Sequence, residues 1–120
     1  MVTLHQDPNA FQQLDPEQAP QVVERYRTWF DEIRGSGRYV VSDKLMDEGG
    51  KVVDALDGSV SVVDGPYTEV KEVVGGYLTL RAGSYGEVLE LLRDCPHLAF
   101  GRLEVRQTDP IGYGEEYVSP

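Results

Sequence analysis

The sequence is poor in cysteine, in basic residues and in long apolar runs. A single cysteine, Cys95, among 120 residues excludes an intrachain disulfide and a four-thiolate zinc site. Only 11 Lys and Arg oppose 21 Asp and Glu, giving a formal charge of −10, which disfavours direct nucleic-acid binding because that affinity comes from cations that neutralise phosphates. No apolar run approaches the ~20 residues of a membrane span, and residues 1–10 lack the basic start and apolar core of a signal peptide. We therefore expect a soluble, cytoplasmic protein of one domain.

Two amphipathic helices are predicted, one in each half of the chain. The first begins near Glu17 and ends at Gly35 and Gly37, which can adopt the left-handed conformation that closes a helix. The second follows Ser84, which forms a capping box with Glu87. Their predicted buried residues recur at spacings of three and four. These residues are Val22, Val23, Tyr26, Trp29, Phe30 and Ile33 in the first helix, and Val88, Leu89, Leu91, Leu92 and Cys95 in the second.

β-Branched and aromatic residues predict short strands around these helices. The predicted strands cover residues 2–5, 39–42, 51–56, 59–63, 73–81 and 102–106. The dipeptide Asp57-Gly58 suits the two-residue turn of a hairpin. The order of elements predicts an α+β fold of ferredoxin-like type, with an antiparallel sheet, two helices on one face and an extra β-hairpin. We expect one domain over residues 1–107, followed by residues 108–120 as a flexible tail or dimer arm.

The predicted strands are too apolar for a sheet that has one face in water. The residues in question are Val52, Leu56, Val60 and Val62. The commonest cover for such a sheet is the same sheet from a second copy, so a homodimer is expected.

The segment that joins the fourth and fifth strands carries more specialised residues than a turn requires. Residues 64–77 read DGPYTEVKEVVGGY. Gly65 and Pro66 force a bend, and the Asp64 carboxylate is placed to accept backbone N–H groups in an Asx-type turn. The Gly75-Gly76 pair lacks side chains, so a ligand or another backbone can approach it closely. The alternative is that Asp64 caps a turn, the nearby charges are solvated and the glycines form a bulge.

This segment resembles the signature of the YCII-related family and of its DGPF-motif branch, with Tyr67 where the branch usually has Phe. Two further matches follow in the expected order, CPHL at residues 95–98 and LEVR at residues 103–106. Trp29 and the EGGKVV stretch at residues 48–53 also fit, so the likeness covers most of the chain. The resemblance implies a dimeric α+β barrel of ferredoxin-like halves with a cleft near the motif.

The resemblance does not supply a catalytic pair. Better-characterised relatives resemble lactone isomerases or dehydrochlorinases of aromatic compounds and are associated with a His-Asp pair for acid and base work. This chain has two histidines, His5 and His97, and neither lies on the first helix or on the strand after it. The pair is therefore not transferred by position, and no firm reaction follows.

His97 and Asp64 are the candidate catalytic residues. A histidine titrates near neutrality, so His97 in a cleft would move a proton while Asp64 orients its ring or shapes the cleft. The structural alternative is that His97 donates to free carbonyls at the end of a helix. Lys71 is expected to hold an anion such as a carboxylate or phenolate, with surface ion pairing to Glu69 and Glu72 as the alternative. The residues expected to bind substrate are Tyr67, Lys71, Glu72, Gly75 and Gly76.

Other reactive side chains have simpler structural interpretations. His5 and Asp7 would supply half of a metal site, but no second histidine or thiolate completes it, so no metal or other cofactor is expected. Cys95 is expected to be a buried, inert thiol. Trp29 is expected in the core, with ligand stacking as the alternative.

Two functions of different classes remain open. The first is a cofactor-independent enzyme that catalyses proton transfer, isomerisation or elimination on a small aromatic or lactone-like molecule, in a cleft beside the motif. The second is a non-catalytic binding or regulatory module. Proteins of this kind resemble companions of alternative sigma factors, which implies a protein partner in transcription regulation. An acidic surface suits such a partner better than it suits nucleic acid.

Overall fold

The computed structural model describes residues 1–65 and 71–109. Its elements, in chain order, are β1 (Val2–Gln6), α1 (Ala19–Gly35), β2 (Tyr39–Lys44), β3 (Lys51–Leu56), β4 (Ser59–Asp64), β5 (Val73–Leu80), α2 (Tyr85–Leu92), a 3₁₀ helix (Pro96–Ala99) and β6 (Gly101–Val105). Each strand and α-helix predicted from the sequence is present, with ends that differ by a few residues. The 3₁₀ helix was not predicted; it begins at the proline that was expected only to stop α2.

Four strands form one antiparallel sheet in the order β2-β5-β1-β6. α1 connects β1 to β2, α2 connects β5 to the 3₁₀ helix that precedes β6, and both α-helices contribute to the same core. This connectivity is that of a ferredoxin-like fold. The α+β prediction, with two helices on one face and an extra hairpin, is therefore confirmed. β3 and β4 form that hairpin as a separate two-stranded sheet.

The hydrophobic core lies between the helices and one face of the four-stranded sheet. Its buried members are Val2, Leu4, Trp29, Ile33, Leu78, Leu92 and Cys95. Two residues of the predicted helix stripes, Val23 and Leu89, are instead 55% and 58% exposed. Both predictions were wrong because a helix that packs on one sheet face buries a narrower arc than spacings of three and four indicate.

α1 begins at Ala19, two residues after the predicted start. The residues before it form a turn in which the Glu17 N–H donates to the Asp15 carboxylate at 3.1 Å. Pro20 then lies in the first turn of the helix, where its missing N–H has no intrahelical partner to lose. At the other end Gly37 has a φ of 79°, so the chain leaves the helix through a conformation that favours glycine.

The start of α2 shows the predicted cap with one difference. The Ser84 hydroxyl accepts from the Glu87 N–H at 3.3 Å, and the Glu87 carboxylate accepts from the Gly83 N–H at 2.7 Å, one residue before the expected partner. Two free N–H groups near the helix start are therefore satisfied. Neither of the two described α-helices is long and apolar enough to cross a bilayer.

The hairpin turns at Asp57 and Gly58, whose φ values of 49° and 80° fit the predicted two-residue turn. Cross-strand pairing places Val53 opposite Val62 and Ala55 opposite Val60. Because alternate residues share a face of a strand, we call Val53, Ala55, Val60 and Val62 the valine face. The exposed fractions of its three valines are 64% for Val53, 71% for Val60 and 58% for Val62.

Two residues of the predicted apolar set, Val52 and Leu56, lie at register positions outside the valine face, with Leu56 opposite Ser59. Val52 pairs with Val63 on the opposite side of the hairpin and is partly buried. The valine face therefore contains two of the residues predicted to need cover, Val60 and Val62, together with Val53, which was not predicted.

Candidate functional site

The face of the four-stranded sheet opposite the helices, which we call the open face, carries charged side chains. Along β1 the residues that face the helices are buried, and His5 lies among the alternate residues that point the other way. Arg102 and Glu104 alternate in the same manner along β6 and are exposed. The register places His5 opposite Arg102. Strand pairing therefore brings together charged residues that are distant in the sequence.

His5, Glu72, Arg102 and Glu104 form what we call the His5 cluster. The His5 Nδ1 lies 3.3 Å from Glu72 Oε1, and the His5 Nε2 lies 3.9 Å from Glu104 Oε1. Arg102 Nε donates to both Glu72 oxygens at 3.0 and 2.9 Å, and its Nη2 donates to Glu72 Oε1 at 2.7 Å. The Glu72 carboxylate is thus held by a guanidinium on one side and faces the imidazole of His5 on the other.

The electrostatics of the cluster keep Glu72 ionised. The hydrogen bonds from Arg102, together with the charges of Arg102 and His5, hold the pKa of the Glu72 carboxyl below its ordinary value. The same hydrogen bonds raise the pKa of the Arg102 guanidinium. At neutral pH the open face therefore presents a fixed carboxylate beside one ring nitrogen of His5.

The other ring nitrogen of His5 is unsatisfied. The His5 side chain is 15% exposed, and its Nε2 is buried without a hydrogen-bond partner in the described part of the chain. The nearest carboxylate oxygen, on Glu104, is too distant at 3.9 Å to bond to it. A buried polar atom of this kind is unusual in a folded protein and is one mark of a functional group.

His97 lies on the other side of β1, and its residue is only 1% exposed. Its Nε2 is 2.9 Å from the His5 carbonyl oxygen, and its Nδ1 is 2.8 Å from the Tyr26 hydroxyl. Because a carbonyl only accepts, Nε2 carries the proton and Nδ1 accepts from the hydroxyl. Burial, with the charge of His5 as a smaller cause, lowers the pKa of His97. The ring is therefore neutral at neutral pH.

The structure does not join the two predicted catalytic residues. Asp64 ends β4 and pairs with Lys51 across the hairpin, and its side chain is 83% exposed. Within residues 1–65 and 71–109, no hydrogen bond or ion pair links it to His97. Both ring nitrogens of His97 are occupied, which favours the structural alternative, although the partner is a strand carbonyl and not a helix end. The catalytic roles of His97 and Asp64 stay predictions.

The predicted substrate-binding residues are dispersed. Glu72 belongs to the His5 cluster, whereas Lys71 is exposed beside it in the chain. Tyr67 lies outside the described residues. Binding roles for Lys71 and Tyr67 therefore stay predictions.

The two glycines of the motif allow close approach of other parts of the protein. A Cβ at Gly75 would lie 2.2 Å from the Gln6 side-chain oxygen, and one at Gly76 would lie 2.8 Å from the Asp43 carbonyl oxygen. Of the two possibilities raised by the sequence, a ligand or another protein segment, the structure places protein atoms at both positions. A ligand contact at Gly75 and Gly76 stays a prediction.

The structure has two grooves in the part of the chain that it describes, and neither is lined by the described residues of the motif. One, of about 580 Å³, lies between α1 and the 3₁₀ helix, with Trp29 and Cys95 in its lining. The other, of about 420 Å³, lies at the start of α2.

Trp29 is buried and its indole N–H donates to Asp94 at 3.2 Å, so its expected core position is confirmed. Burial raises the pKa of the Cys95 thiol to about 11.

A comparison with protein-family models finds a match over most of the chain. The model of the YCII-related domain matches residues 1–111. The chain belongs to the YCII-related family. The resemblance seen in residues 64–77 is confirmed for this YCII-related chain at the level of the family, and its place in the DGPF branch stays a prediction. No curated protein matches the YCII-related chain significantly.

Sequence reasoning did not place His5 and Arg102 of the YCII-related chain in one site. Alternation along β1 and β6 indicates that both face away from the core, and that was the available signal. Their meeting with Glu72 depends on strand order and register, which the pattern does not contain. In the described ranges, no group of three or more His, Cys, Asp or Glu residues is arranged to hold a metal ion.

Proposed function

We propose that this YCII-related protein is a small-molecule enzyme that moves protons at the His5 cluster without a cofactor. The observation that carries the proposal is the 3.3 Å approach of His5 Nδ1 to Glu72, which Arg102 keeps ionised. A carboxylate at one ring nitrogen orients an imidazole and stabilises its protonated form, which leaves the other nitrogen to exchange a proton with substrate. Such contacts are often loose without substrate and tighten when it binds.

The His5 Nε2 is the proton-transfer atom in this proposal. A substrate that displaces the Glu104 side chain, which is 45% exposed, meets this nitrogen. Its lone pair removes a proton from a carbon beside a carbonyl, which leaves an enolate and an imidazolium. The imidazolium returns the proton to another carbon in an isomerisation, or the enolate expels a leaving group in an elimination. Lactones and related carbonyl compounds with acidic C–H bonds fit this chemistry.

Deuterium uptake tests the proposal before the natural reaction is known. A panel of enolisable lactones and ketones is incubated with the protein in D₂O, and incorporation at carbon is followed by NMR. We expect the wild-type protein to accelerate incorporation into at least one compound. His5→Gln should lower that rate about 10²- to 10⁴-fold, because it removes the general base. Glu72→Gln should also lower the rate, because it removes the group that orients the ring.

The control is Glu90→Gln, the same substitution at an exposed glutamate that pairs with Arg93 on α2. This variant should exchange deuterium at the wild-type rate. An absence of incorporation with every compound, or incorporation by His5→Gln at the wild-type rate, would contradict the proposed function.

We also infer that a second copy of the chain covers the valine face. A lone two-stranded hairpin is marginally stable in water, yet here it leaves three valines more than half exposed on one side. The family resemblance implies a dimeric barrel, which supports a second copy of the chain as the partner. A different protein partner, as in the regulatory-module alternative, would leave the purified chain monomeric.

A further inference from the structure

A partly buried series of hydrogen bonds connects α1 to β1 behind His5. It begins at the Tyr26 hydroxyl on α1, passes through both ring nitrogens of His97 in the 3₁₀ helix, and ends on the carbonyl oxygen of His5 in β1. We propose that Tyr26 and His97 are positioning residues that hold the His5 ring toward Glu72. This inference rests on the proposed role of His5 as the proton-transfer residue.

The His5 carbonyl lies where β1 departs from regular pairing. The register of β1 with β5 shifts between Leu4 and His5, and such an irregularity re-aims the side chain beside it. On the β6 side, a Cβ at Gly101 would lie 1.8 Å from the His5 oxygen. The His5 carbonyl therefore lies between the His97 ring, which donates a hydrogen bond to it, and Gly101 of β6, which has no side chain to obstruct it.

The hydrogen bond from His97 to the His5 carbonyl also restrains the direction of the His5 ring. The carbonyl and the side chain of His5 are bonded to adjoining backbone atoms, so a rotation that released the carbonyl from His97 would also change the direction of the Cα–Cβ bond. The ring must keep Nδ1 near the Glu72 carboxylate, now at 3.3 Å. A displacement of about 1 Å at a reacting group can lower a rate by as much as 10²-fold.

The way in which these hydrogen bonds are satisfied also indicates a role beyond packing. A buried polar network stabilises only when every member has a partner. Here the hydroxyl donates to Nδ1, and Nε2–H donates to the carbonyl, so both ring nitrogens are satisfied. The network ends on a backbone atom of the residue that carries the unsatisfied Nε2 on the open face.

The test uses the two histidines of the 120-residue chain. Long-range ¹H–¹⁵N correlation spectra of the labelled protein contain two ring patterns, and His5→Gln assigns them. In the wild-type protein with neutral rings, we expect the His97 proton on Nε2 and the His5 proton on Nδ1. His97→Asn is too short to donate to the His5 carbonyl, so His5 should become a mixture of tautomers. His97→Gln places an amide N–H near the position of Nε2 and should retain the Nδ1–H pattern.

Tyr26→Phe is the second variant, for the case in which His97→Asn does not fold. It removes only the hydroxyl and should move His5 toward the same mixture. The matched control is Tyr85→Phe, which removes a hydroxyl that accepts from the Gln107 N–H and should leave both ring patterns unchanged. A folded His97→Asn or Tyr26→Phe variant with an unchanged His5 pattern would overturn the inference.

Kinetics separate this inference from the proposed function. For a compound that takes up deuterium, His97→Asn should lower kcat about 10- to 100-fold with KM unchanged, and His97→Gln should restore most of that loss. Equal kcat values for His97→Asn and wild type would overturn the inference while leaving the role of His5 intact. A wild-type protein without exchange activity would instead refute the proposed function, and the tautomer measurement would still decide the positioning role.

Discussion

The two histidines of this chain lie on opposite sides of β1 in contrasting surroundings. His97 is enclosed in the core, with a donor and an acceptor fitted to its two nitrogens. His5 lies on the open face between two carboxylates, with one nitrogen unsatisfied. The first environment lowers the pKa of its ring and preserves the neutral form, whereas the second leaves one ring nitrogen free of a hydrogen bond from the described residues. The same residue type therefore has a structural role at one position and a proposed chemical role at the other.

The environment of His97 predicts that stability falls as the pH drops below about 6.5. Folding lowers the pKa of this ring from its ordinary 6.5, so the unfolded chain binds its proton more readily than the folded one. The stabilisation is complete above the unfolded-state pKa and is lost as the pH falls through the folded-state pKa. Urea unfolding at about pH 8 and about pH 5.5 measures this loss.

The matched variant for this measurement is His97→Gln, which cannot titrate. Its free energy of unfolding should change less between the two pH values than that of the wild-type protein. Carboxylates contribute little over this interval because their ordinary pKa values lie below it. An equal change in both proteins would contradict the prediction.

At the scale of elements, the approach of β6 to β1 depends on one missing side chain. Gly101 pairs with Gln6, and the His5 carbonyl occupies the space that a Cβ at this position would need. The helix end at Gly35 is different, because nothing lies within 4 Å of the position that its Cβ would take.

These two glycines predict opposite effects of one substitution. Gly101→Ala should lower the free energy of unfolding by about 1–3 kcal/mol, because the strands must separate to admit the methyl group. Gly35→Ala should raise it by up to about 1 kcal/mol, because alanine favours the helix. Chemical denaturation of both variants tests the difference. Gly101→Ala with wild-type stability would show that the strands separate without cost.

At the scale of the whole molecule, the helices bury one face of the four-stranded sheet, whereas one side of the hairpin is left exposed. The helices pack on one face of the four-stranded sheet, and the hairpin lies outside that sheet as a unit of its own. Three exposed valines, Val53, Val60 and Val62, share the valine face of that hairpin. Such a patch is characteristic of an interface between proteins.

The proposed homodimer predicts a specific change in mass. By light scattering, the wild-type chain should have twice its monomer mass of 13.4 kDa. Val62→Lys should shift it to one monomer mass, because a charge would be buried at the interface. The control is Val23→Lys, at a valine of similar exposure on α1, which should remain dimeric. A wild-type protein of monomer mass would refute the dimer.

The elements were predictable because their signals are local. The Asp57-Gly58 turn, the Ser84 cap and the alternation along β6 each depend on neighbouring residues. The site depends on distant ones: Glu72 and Arg102 are 30 positions apart, and His97 and the His5 carbonyl are 92 apart. Their contacts follow from strand order and from the irregularity in β1, and neither is encoded in a short pattern. A histidine after Pro96 therefore indicated a polar role without identifying its partner.

β1 is synthesised before the other described strands, yet its neighbours in the sheet are β5 and β6, which follow it by about 70 to 100 residues. While the ribosome is still adding the middle of the chain, Val2 and Leu4 have no strand beside them and no completed core in which to be hidden. Contacts over such long separations also slow folding, because the closure of a long loop precedes any gain from pairing. The native sheet is therefore completed late in biosynthesis, and until then the apolar side of β1 is open to contact with other unfinished chains.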